Sequence, residues 1–277
     1  MTGKSGLVGF WMCLQYSRYR SQLLDRMRWL LGQTELALAV TDIDEEFHWD
    51  HSFTRSLRVP VEGIIAFDAS DSIETLGQIY DRLAPNTPFV SMGIYWSEAK
   101  SYVGVDLKSG AYDAMDHLLS IGRRRISYLA PYNSKLINEG VRYEAYVEKM
   151  QAAGLACDVI TTLGVNSAMV GEGLAERFAN GPAPDAILCM NDDLALSSSV
   201  ALTRAGIKVG SDVALVGFDG IAETEDCPCP ITTVKQPINE MCDLALRFLN
   251  IQMEDPKAPL QQKILKPTLV IRDSTTG

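Results

Sequence analysis

Three histidines and six cysteines are all that the 277 residues offer toward metal, thiol or redox chemistry. The cysteines stand at 13, 157, 189, 227, 229 and 242, and no two are spaced Cys-x-x-Cys. Cys227-Pro228-Cys229 lacks the two-residue spacer of zinc and redox motifs. Four of the six cysteines lie among apolar neighbours and read as small core residues. His48 and His51, beside Glu45 and Glu46, have no HExxH pattern or cysteine partner and read as a solvated helix start. His117 reads as a satisfied, partly buried helix residue. No Gly-x-Ser-x-Gly elbow and no GxGxxG occur, and Ser197-Ser198-Ser199 has no histidine base in sequence order. Gly3-Lys4-Ser5 precedes the first strand, whereas a phosphate-binding loop follows one. No metal, no cofactor and no catalytic constellation are therefore expected; an enzyme would need groups assembled from distant positions.

Long apolar runs are also absent. None reaches the roughly 20 residues that cross a bilayer, so no membrane partner is expected. The start lacks the basic stretch, apolar run and small-residue cleavage site of a secretory leader. A cytoplasmic location is the expectation. Positive charge is in deficit, with 25 Lys and Arg against 35 Asp and Glu, a formal net charge of −10. Such a surface repels phosphate backbones, so this segment by itself should not hold DNA. Arg123-Arg124-Arg125 is a small basic island that reads as a solvated turn.

What the sequence does contain is alternation. Apolar runs at Leu7–Met12, Leu36–Val40, Gly63–Phe67 and Pro88–Met92 read as strands, with helices over Arg18–Leu31, His48–Leu57 and Ser72–Leu83 between them. A second series follows. Helices over Leu107–Ile121, Glu139–Ala153, Ala168–Ala179 and Leu194–Ala205 are interleaved with strands at Arg125–Ala130, Asp158–Thr162, Ala186–Met190 and Val213–Gly217. Met241–Leu249 adds a helix and Lys263–Ile271 a closing strand region. Short connections in this order predict an α/β fold of two doubly wound parallel-sheet lobes.

In open parallel sheets ligands bind beyond the carboxyl ends of the strands, where helices begin. The residues just after each strand are therefore the candidates. They include Trp11 and Tyr16, Asp68, Trp96, Asn166, Asn191 and Asp219. Aromatic faces among carboxylates and amides suit sugars and related polyhydroxylated or ring ligands, although about half of such residues are simply polar loop positions.

Several segments resemble the LacI (LacI/GalR) family of bacterial transcriptional regulators. Val103-Gly104-Val105-Asp106, with Gly110-Ala111 and Asp116-His117-Leu118-Leu119, is similar to that family's entry into its second lobe. Ile121-Gly122-Arg123-Arg124-Arg125-Ile126 resembles its Gly-His-Arg-Arg-Ile turn, with Arg123 in place of His. Pro184-Asp185-Ala186-Ile187 leading to Asn191-Asp192-Asp193 is a further match. Gly210–Asp219 continuing through Pro230–Pro237 is the strongest, and Leu265–Ser274 completes the series.

The resemblance implies a periplasmic-binding-protein-like type I core whose lobes are joined by three crossovers. The N-terminal lobe would comprise 5–105 plus 238–263, and the C-terminal lobe 106–237 plus 264–274. Residues 1–4 would be the remnant of a linker to a missing helix-turn-helix head, with Met1 an introduced start. It also implies ligand contacts by Arg142, Asn191, Asp219 and Gln236. The loop at Asn166 often carries an aromatic in the family, and the position after the fourth strand, often a carboxylate, is Gly93 here. Trp11, Tyr16 and Trp96 are then the sources of stacking surface, or of a dimer interface.

The function implied is an effector-binding and dimerising core that senses a small polar molecule by lobe closure. It would be a homodimer and reach operator DNA only through the missing head. The alternatives are a periplasmic sugar-binding protein feeding a transporter and, from another class, an enzyme on the same fold.

Overall fold

The computed structural model describes residues 5–12, 17–42, 59–68, 86–93, 100–132 and 140–276. In chain order the elements are β1 (Leu7–Met12), α1 (Arg18–Leu31), β2 (Ala37–Asp42), β3 (Gly63–Asp68), β4 (Phe89–Gly93), β5 (Ser101–Val105), α2 (Leu107–Ser120) and β6 (Ile126–Pro131). Then come α3 (Val141–Ala152), β7 (Asp158–Thr162), α4 (Ser167–Ala179), β8 (Ala186–Cys189), α5 (Asp192–Arg204), β9 (Ala214–Asp219) and α6 (Glu223–Asp226). The chain ends with β10 (Thr232–Lys235), α7 (Ile238–Glu254), β11 (Gln262–Leu265), β12 (Thr268–Val270) and α8 (Asp273–Thr276). The helices expected at His48–Leu57 and Ser72–Leu83 lie outside the described residues.

The chain divides into two units, passing between them after Val105, after Gln236 and after Leu265. The first unit holds one six-stranded sheet in the order β11-β5-β4-β3-β1-β2, and the second another in the order β12-β10-β9-β8-β6-β7. Every neighbouring pair is parallel except β10 with β12. This is the expected doubly wound α/β architecture. The inner strands β4, β5, β8 and β9 are buried along their whole length. That is why β4, β8 and β9 read as continuous apolar runs rather than alternating ones.

In the first unit, α1 begins at Ser17, whose side chain accepts from Arg20 N. It buries Tyr19, Leu23, Met27 and Leu31, one residue per turn, as an amphipathic helix must. Arg26 meets Asp243 on α7 at 2.6 Å. That helix covers β3, β4 and β5 with Met241, Cys242, Ala245, Phe248 and Leu249.

In the second unit, Asp106 caps α2 by accepting from Ser109 N at 3.0 Å. Gly110 lets α2 approach β10 closely: a Cβ there would lie 2.6 Å from Val234 and 2.7 Å from Pro267. Tyr146 of α3 is buried, donates to Ile126 O at 2.8 Å and accepts from Asp158 N at 2.8 Å. One side chain thus ties a helix to β6 and β7.

Four expectations are refined or corrected. The closing strand region Lys263–Ile271 divides into β11 in the first sheet and β12 in the second. Lys266-Pro267 separates them, and Pro supplies no ladder donor. Strands β5 and β10 are additions, short and rich in Ser, Thr and Val. Among the described cysteines Cys189 and Cys242 are buried, Cys227 and Cys229 are intermediate and Cys157 is exposed, so fewer than four of these are core residues. The arginine island is not merely a solvated turn. Arg123 donates to Gly210 O at 2.5 Å, and the Arg124 and Arg125 backbone amides donate to Asp185 Oδ1 at 3.1 and 2.9 Å.

Candidate functional site

The second unit gathers most of the expected residues. Its sheet reverses strand order between β8 and β6, so β7 and β8 flank β6. Such a switch point is where open α/β sheets hold ligands. The carboxyl ends of β8, β9 and β10 deliver Asn191, Asp219 and Gln236, and the first turn of α3 delivers Arg142.

Arg142 donates to Met190 O at 2.6 Å, just past the end of β8. Its guanidinium carbon lies 4.9 Å from the centroid of the buried Phe218 ring. A carbonyl and an aromatic face therefore hold the group in one orientation, while its fork retains further donors.

Asp219 is 8 % exposed and is the non-glycine residue with positive φ, 122°, among the described residues. A left-handed backbone at such a residue costs about 1–3 kcal/mol and persists only where surroundings enforce it. Gln236 Nε2 donates to Asp219 Oδ1 at 2.8 Å. Burial pushes the Asp219 carboxyl up to about 8; the Arg142 charge opposes that rise and the Asp192 carboxylate adds to it.

Asn191 caps α5, its Oδ1 accepting from Leu194 N at 3.0 Å. The capping use leaves its amide nitrogen as the atom that a ligand acceptor would meet. Asp192 follows and is fully buried. Its Oδ2 accepts from Gly220 N at 2.6 Å and Ile221 N at 2.9 Å, and its Oδ1 accepts from Thr233 Oγ1 at 2.7 Å. Burial raises this carboxyl to about 6, with the three donors pulling it back. Sequence reasoning did not single out Asp192. The available signals were the glycine inside β9, since a strand glycine often marks a close approach, and the doubled acid at the α5 start. A Cβ on Gly217 would lie 2.0 Å from Asp192 Oδ1.

The remaining expected residues are placed differently. Asn166 caps α4, its Oδ1 accepting from Ala168 N and Met169 N at 3.1 and 3.0 Å. Trp11 is the penultimate residue of β1 in the first unit at 2 % exposure, its ring set edge-on to Phe89 with centroids 6.2 Å apart. Asp68 is the last residue of β3, paired in register with Gly93. Tyr16 and Trp96 lie outside the described residues, as do His48 and His51. Among the described residues no group of three His, Cys, Asp or Glu is arranged to hold a metal. Nor is any described helix long and apolar enough to cross a membrane.

Two doubly wound units, the second with polar side chains gathered at its strand ends, define the class of fold. The comparisons narrow that class: residues 115–275 match the family model of the periplasmic binding protein-like domain, and the chain belongs to that family. Its relatives are LacI-type regulators. It is 29 % identical over 255 residues to the HTH-type transcriptional regulator DegA of Bacillus subtilis, covering 87 % of this chain and 72 % of DegA. It is 30 % identical over 176 residues to the HTH-type transcriptional repressor CytR of Escherichia coli, covering 62 % of this chain and 51 % of CytR. The chain thus spans only part of the length of these relatives. A LacI family transcriptional regulator from Enterococcus faecium, solved with bound ribose, superposes with a TM-score of 0.85 at 21 % identity, covering 98 % of both chains.

Proposed function

We propose that this chain is the effector-binding core of a LacI-type transcriptional regulator, a repressor that senses a small uncharged polar ligand, a sugar or a close relative of one, without chemical turnover. The observation that carries this reading is the convergence of Arg142, Asp219 and Gln236 at the strand ends of the second unit, with Asn191 at the adjoining helix start. A planar donor fork, a buried carboxyl and two amides can satisfy a set of hydroxyls in fixed geometry. The ribose bound by the Enterococcus regulator is the kind of ligand these groups suit. Aromatic stacking by Tyr16 and Trp96, and an acceptor at Asp68, belong to the same proposal.

Effector control then works by differential affinity. A ligand that binds one conformation better than another shifts the population between them, and a head responding to the same equilibrium changes its hold on DNA. The operator would be reached through a helix-turn-helix head outside this sequence, because the −10 charge opposes phosphate contact. The cytoplasm is the proposed location. The transporter-component reading is set aside because the curated relatives are regulators.

The test is isothermal calorimetry after a thermal-shift screen of sugars, polyols and nucleosides, since a ligand that binds only the folded state raises the melting temperature. Arg142→Ala and Asp219→Ala are each expected to weaken the hit at least tenfold while the protein still melts cooperatively. Unchanged affinity in both variants refutes the site. Turnover of the ligand would refute the absence of catalysis.

A further inference from the structure

Between Asp219 and the start of β10 the chain makes a turn whose backbone is constrained from one side. Gly220 has φ +78°, and a Cβ there would lie 2.5 Å from Lys235 Cγ, so the turn admits no side chain at that position. The two amides that follow Asp219, those of Gly220 and Ile221, both point at one oxygen of Asp192. The other oxygen of that carboxylate is held by Thr233 of β10. Three donors from two separate stretches therefore converge on a side chain that starts on α5. Space for it exists only because Gly217, two residues before Asp219 on the same strand, has no Cβ.

We infer that Asp192 is a positioning residue for the candidate site: it touches no ligand, and by clamping the Gly220 and Ile221 amides to Thr233 it holds Asp219 in its positive-φ conformation beside Gln236. The inference rests on the reading of Asp219 as a ligand contact. Its physical content is local and needs no ligand. A carboxylate accepting two adjacent backbone amides fixes both peptide planes, and the plane between 219 and 220 is one of them. Without that clamp the extended backbone is the favoured state of a non-glycine residue. Asp219 would then swing out of the buried position that it shares with Gln236. The charged groups acting on Asp219 are Arg142 from α3 and Asp192 and Asp193 from α5. Asp192 also grips the turn.

The test uses the full chain with aspartate carboxyl carbons labelled with 13C, and Asp219 assigned by the loss of its signal in Asp219→Asn. Two readouts are taken. The three-bond amide–Hα coupling of residue 219 is small at φ 122° and large in extended backbone. The carboxyl titration reports burial. Asp192→Leu keeps a similar shape and removes both the charge and the two oxygens that accept from Gly220, Ile221 and Thr233. It is expected to raise the coupling and to lower the Asp219 midpoint by at least one pH unit, in a protein that still melts cooperatively. A lowered midpoint with an unchanged coupling means that Asp192 acts through charge alone, and overturns the inference. Wild-type values for both overturn it as well. Should Asp192→Leu fail to fold, Thr233→Val removes one donor and no charge. A raised coupling in that variant, reversed in Thr233→Ser, supports the clamp, and an unchanged one overturns it. Because neither readout involves an effector, failure here leaves the ligand-binding proposal to stand or fall on calorimetry.

Discussion

Asp219 concentrates the conflict between binding and stability in a single residue. Its carboxyl is buried, backed by one hydrogen bond from Gln236 and pushed up to about 8. An unfolded aspartate titrates near 4, so between about pH 4 and pH 8 the folded chain keeps a proton that the unfolded chain has released. Stability attributable to this group is highest below pH 4. It falls as pH rises, and the loss ends once pH passes about 8. Asp192, raised to about 6, acts in the same direction over a narrower window. Asp219→Asn keeps the oxygen to which Gln236 donates and places at φ 122° a residue type that tolerates positive φ. We expect it to melt about 5 °C above the wild type at pH 8, with the gap closing toward pH 4.5, at roughly 2–4 °C per kcal/mol for a chain of this size. Melts followed by circular dichroism across that range check it. A gap independent of pH would place the gain outside the proton linkage.

At the scale of elements, the second sheet depends on the last residues described. Ser274 Oγ donates to Leu215 O at 2.5 Å and accepts from Thr232 N at 2.9 Å. Thr275 Oγ1 lies 2.7 Å from Thr232 Oγ1 and 2.8 Å from His117 Nε2. Arg272 reaches Ile231 O at 2.8 Å. The short helix α8 is therefore a polar tie across β9, β10 and α2. Ser274→Ala leaves a buried carbonyl and a buried amide without that partner, at a cost of about 1–3 kcal/mol for each group that nothing else satisfies. A urea midpoint lowered accordingly, with the slope unchanged, is the expected result; Ser274→Thr, which retains the hydroxyl, should lose less.

The elements that sequence could reveal are those whose own periodicity defines them. The α5 start shows in Asn191-Asp192-Asp193, and the buried β8 and β9 show in unbroken apolar runs. Strand β10, with Thr232 and Thr233 fully buried, did not show, because threonine burial is decided by partners on α5 and α8. The same reason hid Asp192. Its role exists only once Gly217, Gly220, Ile221 and Thr233 are brought to it across 25 to 41 residues of chain. Arg142, Asp219 and Gln236 were legible through family resemblance. Nothing in their own spacing shows that they meet.

At the scale of the whole molecule the proposal requires a second copy, because an operator-binding dimer presents two heads to two half-sites. The second unit offers a face for it. Helices α4 and α5 pack together closely enough that a Cβ on Gly171 would lie 3.6 Å from Ala201 Cβ. Met169 and Val200, on the same two helices, are 38 % and 42 % exposed, and Leu163, just before α4, is 78 % exposed. Isolated exposed apolar residues need no explanation; we take this group, on one helix pair and its leading loop, as the expected dimer face. We expect the chain to sediment as a dimer at micromolar concentration, and Met169→Glu with Val200→Glu to shift it to monomer by placing like charges opposite each other across a two-fold interface. Both substitutions are at exposed helical positions where glutamate is a good helix former, so the circular dichroism spectrum should be unchanged. Analytical ultracentrifugation decides between outcomes. A wild-type monomer at tens of micromolar would overturn the homodimer that the family resemblance implies, and a double variant that stays dimeric would move the interface to another face.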